Sequence, residues 1–192
     1  MKFRYFHIYL FLFLFSHLHS DIVYRVPVQS TIDLGLPSFI ERAVEEAEND
    51  EAVAIIFDID TFGGRVDGAT QIKDAILDSK VFTVAFINRR AISAGALISL
   101  SCEKIIMAGG ATIGAATAVD LSGKKASEKV ISYMREEMAS TAEIRNRNTM
   151  LVSCMVDDSL SFTHLVFEGD SVEVTDLEGR KLGKLITLTT EK

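Results

Sequence analysis

Two short segments that are apolar almost without interruption limit most strongly what this chain can become. Val53-Ala54-Ile55-Ile56-Phe57 has no residue suited to face water, and residues 81–87 repeat the character with Thr83 as the one polar exception. A strand with one wet face alternates apolar and polar residues, so these two require cover on both faces, as in a parallel sheet flanked by helices. The intervening segments have helical spacing. Pro37 opens a pattern with Phe39, Ile40, Ala43, Val44 and Ala47 on one face and Glu41, Arg42, Glu45, Glu46 and Glu48 on the other, and Ala69, Ile72, Ala75 and Ile76 form a second stripe. Residues 22–28 predict a strand before the first helix. Residues 91–101 predict a small-residue helix packed close to the sheet, and residues 105–107 a further strand. Buried strands alternating with helices predict an α/β fold.

Residues 125–148 predict one long helix with Ile131, Met134, Met138 and Ala142 as its stripe. Beyond Met155 the pattern becomes alternating, around Gly169-Asp170 and Glu178-Gly179, which predicts a small C-terminal β region of short antiparallel strands. Ahead of the α/β pattern, Lys2 and Arg4 precede the apolar run Ile8 to Phe15, and small and polar residues follow to Ser20. That order predicts a secretory signal over residues 1–20, an exported protein in the periplasm or at a membrane, and one domain over residues 21–192. A net charge of −7 offers no basic footprint for nucleic acid. The two cysteines, Cys102 and Cys154, stand in no metal-ligand spacing, so neither a metal nor a disulfide framework is expected.

In α/β sheets ligands gather beyond the carboxyl ends of the strands, which directs attention to the loops after Phe57, Ile87 and Met107, the first two above all. In Asp58-Ile59-Asp60-Thr61-Phe62-Gly63-Gly64-Arg65, two glycines allow the backbone to approach a substrate and turn an N–H toward it. In Ala91-Ile92-Ser93-Ala94-Gly95-Ala96, a serine stands at a predicted helix start, where it is either an N-cap or a nucleophile facing free N–H groups. A serine nucleophile needs a base. His164, the one histidine after residue 20, lies about seventy residues away in the β region, which disfavours a Ser/His/Asp triad. A lysine held neutral by burial is the other route. Lys124, Lys125 and Lys129 all precede or open the long helix, and helical geometry does not choose among them, since Lys129 lies opposite the buried stripe.

Asp60-Thr61-Phe62-Gly63-Gly64-Arg65-Val66-Asp67, Ile92-Ser93-Ala94-Gly95-Ala96-Leu97-Ile98, and Ile106-Met107-Ala108 followed by Thr112-Ile113-Gly114-Ala115-Ala116 occur here in one order. Further along stand Glu128-Lys129-Val130-Ile131-Ser132-Tyr133, Thr141-Ala142-Glu143, Arg147-Asn148 and Met155-Val156-Asp157. The set resembles the NfeD family, membrane-bound ClpP-class serine proteases also called stomatin operon partner proteins, over about residues 22–191. The resemblance implies a ClpP/crotonase-like fold and a Ser/Lys dyad of Ser93 as nucleophile and Lys129 as general base. It further implies an oxyanion hole from the N–H groups of Gly64 and Ala94, no cofactor, and a homo-oligomer. The substrate it implies is a polypeptide, such as an apolar segment of a stomatin-like membrane protein. Gly63, Arg65, Val66, Ile113, Gly114 and Ala115 are the expected substrate-binding residues, flanking a groove in which an extended peptide adds by main-chain hydrogen bonds. Family members continue beyond the protease domain, so a C-terminally truncated domain is expected.

Phe62 and Ala118 stand where the family commonly has proline, and Gly109-Gly110 replaces a Pro-Gly step; each substitution removes a φ constraint. These departures motivate an alternative expectation, a catalytically silent binding or scaffolding protein of the same fold. A crotonase-type acyl-CoA enzyme shares the fold, but export separates it from intracellular CoA thioesters.

Overall fold

The computed structural model describes residues 21–119 and 122–157, together with the backbones of three short strands, Leu165–Glu168, Ser171–Val174 and Thr187–Thr189. The signal segment, His164, the turns at Gly169-Asp170 and Glu178-Gly179, and Leu185-Ile186 lie outside the described residues.

Strand β1 (Val23–Ile32) leads into helix α1 (Leu36–Asn49), whose first turn is set by an Asp33 carboxylate that accepts from the N–H groups of Gly35 and Leu36 at 2.9 and 3.1 Å. Ile40, Ala43, Val44 and Ala47 are buried as the spacing requires. Phe39 sits at the edge of that stripe and is exposed, contrary to expectation. Strand β2 (Ala54–Gly64) begins after an exposed Val53 and runs straight through the glycine pair, rather than ending before it. Helix α2 (Val66–Asp78) follows, burying Ala69, Ile72 and Ile76.

Strand β3 (Thr83–Ile92) also outruns its predicted end, taking Ala91 and Ile92 from the predicted helix. Helix α3 (Ala94–Ser101) is buried at all eight positions, which explains its lack of a polar face. Strands β4 (Lys104–Met107) and β5 (Thr112–Gly114) complete the parallel part of the sheet. The order is β1-β2-β3-β5, with β4 pairing the first half of β3 and β5 pairing its end.

The helix predicted over residues 125–148 forms as α4 (Glu128–Ile144), and a separate helix that the pattern did not mark, α5 (Thr149–Val156), follows it. Asn146 takes a left-handed φ of 53°, which stops α4, and Asn148 then caps α5 by accepting from the Leu151 N–H at 2.9 Å. The stripe of Ile131, Met134, Met138 and Ala142 is buried as predicted. The connection between α4 and α5 supports the far end of α3. Arg147 donates to the carbonyls of Leu100, Cys102 and Glu103, and Arg145 Nε donates to the Ser101 carbonyl at 2.7 Å. Two cations thus serve the carbonyl end of the central helix, where the helix dipole favours positive charge. Cys102 beneath them is fully buried, and burial pushes its thiol up to about 12, which makes it an inert core residue.

Three short strands are described in the C-terminal region. β6 (Leu165–Glu168) and β7 (Ser171–Val174) pair antiparallel, and β8 (Thr187–Thr189) joins the main sheet antiparallel to β5.

Candidate active site

Ser93 sits between the end of β3 and the start of α3 with φ 56° and ψ −119°, a conformation that a side-chain-bearing residue adopts only at a cost. Tertiary structure imposes it. The Ser93 N–H donates to the Gly114 carbonyl at 2.9 Å, and the Ser93 carbonyl accepts from the Ala96 N–H at 2.9 Å as the first turn of α3 closes. The chain reverses sharply at this residue, which lifts the hydroxyl out of the packed helix; Ser93 is half-buried while the next eight residues are buried. Ser93 stands at the N-cap position of α3, but among the described residues its hydroxyl makes no capping hydrogen bond. A strained strand-to-helix turn presenting a serine at a helix N-terminus is the arrangement of a nucleophile elbow.

The glycine pair closes against this turn. Gly63 has φ +100°, and a Cβ there would lie 2.7 Å from Ser93 Cβ, 2.9 Å from the Ile92 carbonyl oxygen and 3.1 Å from the Ala94 nitrogen. Only a residue without a side chain allows that approach. The Gly63 N–H is taken by Thr61 Oγ1 at 3.0 Å. The Arg65 N–H donates to the Ile32 carbonyl of β1 at 2.8 Å. Gly64 itself is exposed, and a Cβ on it would run into the Ile32 backbone of β1. The Ala94 N–H belongs to the first turn of α3, where intrahelical partners are lacking.

Lys129 is not in this cluster. It lies in the first turn of α4 on the outward face and is exposed, without a hydrogen bond to Ser93 among the described residues. The burial that a neutral lysine needs is absent in the single chain. Tyr133 approaches Thr70 at 3.5 Å between hydroxyls, and Lys73 pairs with Glu137 at 2.9 Å, so long side chains of α2 and α4 meet. A surface groove of about 580 Å³ opens here, lined by Arg65, Val66, Asp67, Thr70, Gln71 and Tyr133.

The predicted substrate-binding residues divide. Val66 and Arg65 line the groove. Arg65 is exposed and forms a double hydrogen bond with Asp67 at 3.0 and 2.6 Å, which raises the guanidinium pKa and lowers that of the carboxyl. Ile113 is a core residue at 3% exposure, and Gly114 is buried, so neither lines a groove. The reason is the sheet: Thr112–Gly114 is bonded to β3 on one side and β8 on the other. Ala115, half-buried with φ 48°, is the first position beyond those ladders.

Comparison with known proteins gives this geometry its context. The model of the NfeD1b N-terminal domain family matches residues 22–192. The chain belongs to this family. The membrane protein NfeD1b of Bacillus subtilis is 36% identical over 170 residues, covering 88% of this chain and 36% of that protein. The membrane-bound protease PH1510 of Pyrococcus horikoshii is 31% identical over 154 residues, covering 76% of this chain and 35% of that protein. The chain thus spans about a third of the length of these curated relatives. Among solved structures, the 1510-N membrane-bound stomatin-specific protease matches with TM-scores of 0.67 as a serine-to-alanine mutant and 0.69 as a lysine-to-alanine mutant holding a substrate peptide. Both are 29% identical, with 74% of this chain covered in each and 73% and 69% of those chains. ClpP1 of Listeria monocytogenes shares the fold at TM-score 0.56 and 21% identity, covering 67% of this chain and 76% of that one. This NfeD1b-family domain therefore has a ClpP-like fold. Both curated relatives are named as membrane proteins, and among the described residues no helix is long and apolar enough to cross a membrane.

Proposed function

We propose that this chain is the protease domain of an exported serine endopeptidase that cuts apolar segments of membrane-associated polypeptides, a stomatin-like protein among them. The observation that carries the reading is the strained Ser93 turn with the Gly63 backbone pressed against it. The Ser93 hydroxyl attacks the scissile carbonyl while its proton passes to a neutral Lys129. The resulting oxyanion accepts from the N–H groups of Gly64 and Ala94. Lys129 then gives the proton to the departing amine, and water releases the acyl group from Ser93. The relative's name and its substrate-peptide complex support a polypeptide substrate of this class.

The test is hydrolysis of a library of extended peptides by the wild type and by Lys129→Arg. The wild type is expected to enrich Leu, Phe, Met or Ala beside the cut. Lys129→Arg is expected to lose at least about a hundredfold in rate, because guanidinium stays protonated and cannot accept the Ser93 proton. Full activity in Lys129→Arg removes Lys129 as the base. The exposure of Lys129 favours a second reading, a silent binding domain, for which no peptide in the library would be cut. Export is checked separately: N-terminal sequencing of secreted material is expected to begin near Asp21, and recovery only from cytosol with the N-terminus intact overturns it.

A further inference from the structure

Strand β2 slips register against both of its neighbours just before it reaches Ser93. Against β1 the slip falls between Gln29 and Thr31, and against β3 between Ile59 and Thr61; pairing resumes at Thr31–Gly63 and Thr61–Ala91. Residues 60–63 therefore span irregular pairing on both sides, yet these residues must place Gly63 within a methyl group's distance of Ser93. Side chains reinforce the irregular stretch. On one face the buried Thr61 hydroxyl donates to the Ser30 carbonyl and accepts from the Gly63 N–H.

On the other face stands Arg90 of β3. Its guanidinium carbon lies 4.5 Å from the centre of the Phe62 ring, and its Nε lies 3.5 Å from Asp60 Oδ1. One cation thus grips positions 60 and 62, the two same-face side chains of the interrupted stretch. Phe62 is 72% exposed, so apolar burial does not hold the ring, and the cation–π contact is what does. A proline at position 62 would fix the backbone covalently; phenylalanine leaves φ free and provides a ring to grip.

We propose that Arg90 is a positioning residue: through Phe62 and Asp60 it fixes the end of β2, so that Gly63 and Gly64 present their backbone to Ser93. Its consequence for turnover rests on the protease reading; the mechanical role does not. The experiment compares wild type, Arg90→Ala, Arg90→Lys, Phe62→Pro and the double variant Phe62→Pro/Arg90→Ala by amide hydrogen exchange at residues 63–65, urea denaturation and peptide kinetics. Arg90→Ala is expected to exchange about three- to tenfold faster at those amides, with a nearly unchanged urea midpoint. Arg90→Lys falls between, because it keeps charge but loses the planar stack. The double variant returns to the wild-type exchange rate, since proline replaces the brace. In kinetics, Arg90→Ala lowers kcat by a similar factor with little change in KM, and Phe62→Pro restores it. Equal exchange in Arg90→Ala and wild type overturns the proposal, as does a double variant that exchanges as fast as Arg90→Ala. Should the exchange pattern hold while no protein, wild type included, cuts peptide, the brace stands and the protease reading falls.

Discussion

Ser93→Ala is expected to lower peptide hydrolysis by roughly four to six orders of magnitude, since removing a nucleophile leaves only what binding and the oxyanion donors supply. The same position makes a second expectation about stability, independent of substrate. Alanine keeps the Cβ and therefore the backbone strain at φ 56°, so Ser93→Ala should unfold in urea within about 0.5 kcal/mol of wild type. Glycine occupies this region freely. Ser93→Gly should be the more stable of the two variants by about 1 kcal/mol, even after the greater freedom of glycine in the unfolded chain is subtracted. Both should be equally inactive. Retained turnover in Ser93→Ala would move the nucleophile elsewhere, and a Ser93→Gly variant less stable than Ser93→Ala would show that the turn is not strained. Conformation and chemistry at this residue are thereby measured separately.

The buried strands were legible because residues 53–57 carry no polar side chain and residues 81–87 only Thr83; the structure buries Ile55, Phe57, Ala85 and Ile87 completely, while Val53 and Phe82 at the strand starts are exposed. Ser93 could be singled out as a serine among small residues, but its backbone conformation could not. That φ is fixed by a hydrogen bond to Gly114, twenty-one residues away, and depends on how β3 meets β5. The glycine pair shows the same limit. Sequence marks both residues as able to approach a ligand, whereas the division of labour between them follows from register slips that no local pattern announces. Gly63 gives up its side chain to make room for Ser93, and Gly64 gives up its own to let the Ile32 backbone of β1 approach. Lys129 marks the opposite case: helical geometry places it outward, as the structure does, and its selection as the base came through family resemblance alone. Arg90 carried one faint signal, a pair of arginines immediately before an apolar strand end, and its partners became visible only with the fold.

Gly64→Ala is expected to be the most destabilising single-methyl change near the site. A Cβ at Gly64 would lie 2.1 Å from the Ile32 carbonyl oxygen, 2.6 Å from the Ile32 nitrogen and 2.8 Å from its carbonyl carbon. All three atoms are backbone, held at the end of the β1–β2 ladder, so no side-chain rotation relieves the overlap. Relief requires β1 to separate from β2 at Ile32, a fully buried residue, and that movement also breaks the 2.8 Å bond from the Arg65 N–H to the Ile32 carbonyl at the start of α2. The expected loss is at least about 3 kcal/mol in urea unfolding, the range of severe overpacking combined with a broken buried hydrogen bond. Gly109→Ala supplies the control, because no atom lies within 4 Å of where its Cβ would stand, and it should unfold within about 0.5 kcal/mol of wild type. A Gly64→Ala protein within about 1 kcal/mol of wild type would mean that β1 does not close on the glycine pair as described.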